Sequence, residues 1–229
     1  MTVSDDYAII VAGGKGLRMG SDIPKQFLPI GGLPVLMRTI MHFNDYDRNM
    51  HIIVVLPKEQ QDYWFQLCAE YSFNIDITIA DGGPTRFHSV SNGLQLIPSE
   101  AQGIVGVHDG VRPFVSNDVI RRCYDAARTS AAAIPVTPVT DTLRHKQPQG
   151  GSVTVLRSEY VSVQTPQTFA IPLLRKAYAQ PYNDAFTDDA SVVEHLGERV
   201  TLVDGSPTNI KITTPSDLAI ADFLARKQP

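Results

Sequence analysis

An α/β fold with a mostly parallel central sheet and helices on both faces is predicted by three features of this chain. Short β-branched apolar runs alternate with amphipathic stretches, the rhythm of strand–helix–strand crossover units. Those runs are apolar at nearly every position, as strands buried on both faces must be. The first of them ends in a glycine-rich turn, and the carboxyl ends of parallel strands are where such sheets hold ligands.

Taken in order, "AIIVA" (8–12) reads as the opening strand and "VLMRTIMHF" (35–43) as an amphipathic helix. "HIIVVL" (51–56) is the next strand and "QQDYWFQLCAEY" (60–71) the next helix. The strands "IDITIA" (75–80) and "GIVGV" (103–107) follow. "NDVIRRCYDAAR" (117–128) is a helix with Ser116 placed to cap its first turn, and "AAAIPV" (131–136) is a strand. From 137 to 160 the rhythm breaks. Polar and β-branched residues alternate around "QPQGG", a turn signal, with too little apolar surface to pack alone. This segment is expected to project as a β-hairpin. It is either a solvated surface hairpin or an arm that seats on a partner, a lone two-stranded ribbon being marginal in water. Thr214-Pro215-Ser216-Asp217 combines a capping box with proline at the first helical position. Without repeats or an interdomain linker, residues 1–229 read as one domain bearing an arm.

The composition excludes several classes of function. A net charge of −4 argues against a basic nucleic-acid-binding surface, so an anionic substrate must be met by a few placed cations. No apolar run approaches the roughly 18 residues of a membrane span, and the N-terminus lacks the features of a signal peptide. A cytoplasmic location is expected. Two cysteines, Cys68 and Cys123, do not make a disulfide framework and are expected to be small buried hydrophobes.

The turn "AGGKGLRMG" (12–20) matches neither familiar phosphate code. Gly14-Lys15 is followed by Gly16 where a Walker loop needs Ser or Thr, and Met19 stands where a dinucleotide fingerprint needs its third glycine. Gly13, Gly14, Gly16 and Gly20 still permit close backbone approach to an anion, and Lys15, Arg18 and Lys25 add three cations. Pro24 biases the preceding residues toward an extended path that delivers Lys25. Two readings stand: a polyphosphate site, or a solvated loop. "VHDGVRPFV" (107–115) places His108, Asp109 and Arg112 after a buried strand. Asp109 is either half of a structural salt bridge or a group that orients a Mg²⁺-bound phosphate. His108, without further ligands at metal spacing, reads as a core histidine rather than a metal ligand. Neither Ser89 nor Ser191 sits in a nucleophile elbow, and a zinc site is unsupported. Arg157 and Lys211 extend the cationic set.

Seven segments in order give the chain a resemblance to the 2-C-methyl-D-erythritol 4-phosphate cytidylyltransferase family. They are "AGGKGLRMGSDIPKQFLPIGGLPVLMRTI", "DGGPTRFHSVSNGL", "VHDGVRPFV", "AAIPVTPVTDTLR", "VQTPQTF", "FTDDASVVE" and "NIKITTPSDLAIA". The resemblance implies a Rossmann-like nucleotidyltransferase whose hairpin is a dimerisation arm, and a Mg²⁺-dependent attack of a sugar-alcohol phosphate on CTP. It assigns CTP binding to Ala12, Gly13, Gly14, Gly16, Gly83, Ser89 and Asp109. Catalysis falls to Arg18, Lys25, Arg157 and Lys211, and substrate binding to Asp109, Arg112, Thr142, Arg157 and Thr187. The metal is expected on the CTP phosphates with Asp109 nearby. Thr142 and Arg157 are carried by the arm into a neighbouring subunit's site. Lys15 has no assigned role. Pro84 departs from an acidic residue common in the family, and Gly110-Val111 from a pair of small residues. Ribitol-5-phosphate cytidylyltransferases share the glycine loop and the "HD..RP" and "QTPQ" patterns, while "PVTDTLR" and "FTDDAS" favour methylerythritol. A non-catalytic nucleotide sensor is disfavoured by the four cations retained together. The chain also reads as monofunctional, without a fused cyclase.

Overall fold

The opening strand forms as β1 (Tyr7–Val11) in the computed structural model, which describes residues 6–13 and 23–227. Two short strands, β2 (Pro29–Ile30) and β3 (Leu33–Pro34), precede helix α1 (Val35–Tyr46). Strand β4 (His51–Leu56), helix α2 (Lys58–Glu70), strand β5 (Thr78–Asp81) and helix α3 (Arg86–Gln95) follow. Next come β6 (Ile104–Asp109), α4 (Asn117–Ser130) and β7 (Ala132–Pro138). The ribbon strands are β8 (Arg144–Lys146) and β9 (Ser152–Thr154). The chain closes with β10 (Val161–Val163), β11 (Gln167–Ala170), α5 (Ile171–Tyr178), α6 (Asp189–Glu194), β12 (Thr201–Asp204) and α7 (Pro215–Lys227).

The strands alternate their side chains between two cores, which is why they are apolar throughout. Ala8 and Ile10 of β1, with Ile52, Val54 and Leu56 of β4, pack under α1, α2 and α4. Tyr7 and Ile9, with Ile53 and Val55, face α3, α5 and α6. A third, smaller core joins α7 to Ile30, Val111 and Phe114.

β1 lies between β4 and β6 and is parallel to both; β5 extends the sheet beyond β4. On the other side β11 is inserted antiparallel between β6 and β7, β10 pairs antiparallel with β7, and β12 runs parallel to β7. The mostly parallel sheet with helices on both faces is therefore as expected. Because the chain leaves β1 to one side and returns on the other, a crevice opens at the carboxyl ends of β1 and β6.

Local expectations were met with three adjustments. Ser116 caps α4 through its hydroxyl, which accepts from Val119 N–H. Asp217 accepts from the N–H groups of Thr213 and Thr214, and Thr214 Oγ1 accepts from Asp217 N–H, the reciprocal box that opens α7. Residues 75–77 do not join β5, whose pairing with β4 begins at Thr78. The polar alternation from Thr137 begins as the end of β7, which runs to Pro138, so the ribbon starts later than 137. Its turn uses Gly150 at φ +96° and Gly151 at φ +78°, backbone that glycine adopts without strain. Cys123 is buried, whereas Cys68 is only partly so. Burial pushes the Cys68 thiol up to about 11 and the Cys123 thiol up to about 12, which leaves both protonated and unreactive. No helix among the described residues is long and apolar enough to cross a membrane.

Candidate active site

A cleft of about 640 Å³ opens where β1, β4, β5 and β6 end. Its walls are Val11–Gly13, Pro57–Glu59, Gly82–Arg86, Ser89 and Asp109, closed by Lys25, Gln26, Val111 and Lys211. Lys25, Lys58, Arg86 and Lys211 outnumber Glu59 and Asp109 on these walls, so the cleft favours an anion inside an acidic chain.

Each wall is held by specific bonds. Ala12 leaves β1 with its N–H on the Val55 carbonyl at 2.9 Å, and its own carbonyl accepts from Gln26 Nε2 at 2.8 Å. After Pro24, residues Lys25–Phe27 form a 3₁₀ turn, and Lys25 Nζ donates to the Ile212 carbonyl at 3.0 Å. Thr85 caps α3, and Ser89 Oγ accepts from Gly83 N–H while donating to the Thr85 carbonyl, both at 3.0 Å. A Cβ on Gly83 would lie 2.5 Å from His88 Cβ, so only glycine lets this loop lie against α3. The Gly110 departure has a local reason as well: a Cβ there would come 2.9 Å from Ala12 Cβ, and Gly110 N–H reaches the Val11 carbonyl.

Asp109 ends β6 nearly buried, with Oδ2 3.0 Å from Arg112 Nε and 3.1 Å from Lys211 Nζ. Burial opposes its ionisation, but Lys211, Arg86 and Arg112 outweigh burial and hold the carboxyl well below the usual carboxylate range. Asp109 is therefore a permanent anion that fixes cations and has no proton to exchange near neutrality.

His108 is buried and structural, as expected. The Arg112 carbonyl can only accept, so His108 Nε2–H donates to it at 3.1 Å and Nδ1 accepts from the Thr165 hydroxyl at 3.0 Å, which in turn accepts from Asp109 N–H. Burial pushes the imidazole down to about 3.

Of the residues singled out in the sequence, Ala12, Gly13, Lys25, Gly83, Ser89, Asp109 and Lys211 meet at this cleft. Gly14, Lys15, Gly16 and Arg18 lie outside the described residues. Arg112 does not line the cleft. Its guanidinium is committed to Asp109 and to the Asn209 carbonyl, which makes it a support for Asp109. Thr142, Arg157 and Thr187 are exposed and off the cleft's walls; Arg157 donates to the Thr140 carbonyl within the arm. Sequence reasoning missed Gln26, Lys58, Glu59 and Arg86. Lys58 and Glu59 follow β4 after Pro57, where the rule about strand ends could have found them. Arg86 is gripped by buried Asp189 through two bonds of 2.8 and 2.6 Å, and Tyr178 donates to the same carboxylate at 2.6 Å.

The sequence and the fold have counterparts among known proteins. The family model described as 2-C-methyl-D-erythritol 4-phosphate cytidylyltransferase matches residues 7–227. The chain is 62% identical over 218 residues to a protein of that name from Phocaeicola vulgatus, covering 95% of this chain and 98% of the relative. It is 60% identical over 216 residues to one from Bacteroides thetaiotaomicron, covering 94% and 97%. Among solved structures, the cytidylyltransferase of the same name from Thermus thermophilus superposes with a TM-score of 0.76 at 35% identity, covering 96% of this chain and 98% of that one. A match that runs through every strand of the sheet and every wall of the cleft leaves one assignment: the chain belongs to the 2-C-methyl-D-erythritol 4-phosphate cytidylyltransferase family.

Proposed function

We propose that the cleft joins CTP to 2-C-methyl-D-erythritol 4-phosphate. A phosphate oxygen of the sugar alcohol bonds to the α-phosphorus of CTP as the bond from that phosphorus to the β-phosphate oxygen breaks. The products are 4-diphosphocytidyl-2-C-methyl-D-erythritol and pyrophosphate, in isoprenoid precursor biosynthesis. The observation that carries this reading is a cleft at the crevice of the sheet that gathers Lys25, Arg86 and Lys211 with Asp109, whose carboxylate Lys211, Arg86 and Arg112 keep ionised.

The chemistry asks for cations more than for a base. A phosphate monoester is already nucleophilic near neutral pH, and its approach to another phosphate is opposed by like charge. Lys25 and Lys211 sit on one frame: Ile212 N–H bonds the Val111 carbonyl, the Ile212 carbonyl receives Lys25, and Lys211 is anchored on Asp109. Fixed cations of this kind stabilise charge as it develops, without reorganising. Arg18 and the glycine turn complete the nucleotide side in this reading.

Mg²⁺ suits the donors present. Asp109 offers one carboxylate, and no cluster of three metal-binding side chains occurs among the described residues. That is the donor set for an ion held chiefly by substrate phosphates, with Asp109 beside it. When bound, the ion neutralises triphosphate charge.

The arm belongs to this reading too. It exposes Val153, Leu156 and Tyr160, next to the exposed Val161 and Val163 of β10, and carries Thr142 and Arg157 away from the chain's own cleft, as an arm seated on a second copy would. Both thiols being free accords with a reducing cytoplasm.

The test is pyrophosphate release from CTP with either sugar phosphate and the purified protein. Turnover with methylerythritol phosphate is expected. Turnover of ribitol 5-phosphate alone would reassign the acceptor, and CTP binding without pyrophosphate release would make the chain a sensor.

A further inference from the structure

Gln26 is fully buried beside the cleft, yet its amide is only half satisfied. Nε2 donates at 2.8 Å to the Ala12 carbonyl and at 2.7 Å to Gln60 Oε1. The Ala12 carbonyl can only accept, which fixes the amide's orientation and turns Oε1 into a buried site with no hydrogen-bond partner among the described residues. An orphaned buried oxygen is costly, so the side chain is held by its donor end against a penalty at the other.

The position of those two bonds is informative. Ala12 is the first residue after β1, pinned on its other side by Val55. Gln60 lies in the first turns of α2, next to the cleft residues Lys58 and Glu59. Phe27, on the far side of Gln26, packs edge-on against Tyr63 and stacks with Trp64 of the same helix. The residue immediately before Gln26 is Lys25. The amide thus ties the start of the glycine turn, the first turns of α2 and the backbone carrying Lys25 into one unit.

We propose that Gln26 is a positioning residue for nucleotidyl transfer, setting Lys25 at a fixed place relative to the Ala12–Gly13 peptide. This rests on the function proposed above, in which Lys25 faces the reacting phosphate. An error of about 1 Å in such a group costs on the order of a hundredfold in rate.

The experiment is a double-mutant cycle on the full chain, with pyrophosphate release as the readout and the wild type measured first. Gln26→Met keeps the shape and removes both bonds. It is expected to lower kcat about 30- to 100-fold with CTP KM changed less than about threefold. In a Lys25→Ala background the same change should have an effect of less than about threefold, because the group it positions is gone. Gln60→Met, nearer the surface, should lower kcat severalfold with the same loss of effect in that background, and it serves if Gln26→Met does not fold. Full kcat in either folded variant, or equal losses with and without Lys25, overturns the proposal. A wild-type chain that releases no pyrophosphate overturns the functional reading instead.

Discussion

Lys25 and His108 show how differently two polar residues of one region behave. Lys25 is exposed to the cleft and docked on a carbonyl, so Lys25→Ala should lower kcat by roughly a hundredfold or more, near 3 kcal/mol, with CTP KM changing less. Steady-state kinetics separate the two, and equal changes would reduce Lys25 to a binding residue. His108 is neutral in the fold because burial opposes its charge, the Arg112 carbonyl only partly offsetting this. Its folded value of about 3 lies below the unfolded value of roughly 6.5, so between them the unfolded chain holds the extra proton. Stability from this group is complete above pH ~6.5 and declines by at most about 1.4 kcal/mol per unit as pH falls toward 3. Urea denaturation at several pH values should show a shallower acid loss in His108→Gln; an unchanged slope contradicts the assignment. His108 was legible as a core histidine because no metal-spaced partner accompanies it. The support role of Arg112 was hidden, since its second bond goes to a main-chain carbonyl nearly a hundred positions away.

At the scale of elements, the first strand and the capped helices are local facts, and they read correctly. The loop between β5 and α3 was recognised by its motif, but its tightness was not. Gly83→Ala drives a Cβ into the His88 backbone, with 2.8 Å to its carbonyl carbon, and should cost about 1–3 kcal/mol. A lowered denaturation midpoint checks this. The arm is the opposite case. Its turn glycines were plain, yet each ribbon strand is only three residues long, and its exposed apolar side chains find no cover among the described residues. If the arm serves a second copy, mixing Arg157→Ala chains with Lys25→Ala chains should restore part of the activity, because one mixed site keeps both groups. Verified mixed dimers with no recovery would rule out a site shared between the two chains.

Over the whole molecule, the cleft exists because segments far apart in the chain converge on the carboxyl edge of the sheet. Arg86 and Asp189 are the clearest pair: 103 positions apart, bidentate, and joined by the Tyr178 hydroxyl. Asp189→Ala leaves a guanidinium in the cleft wall without its anion and should cost about 3 kcal/mol, with a matching fall in denaturation midpoint. A change below about 0.5 kcal/mol would show that the pair is solvent-compensated. The order of apolar runs and their two-faced burial are written in neighbouring residues, so the sequence alone determined the α/β class, the end of the sheet where the cleft opens, and Lys25, Asp109 and Lys211 among the charges that line it. The antiparallel insertion of β11, the capture of Arg86 by Asp189 and the pinning of Ala12 by Gln26 were decided only by the tertiary structure. Hydrogen bonds and ion pairs act over about 3 Å, and which residues come that close depends on how distant segments pack.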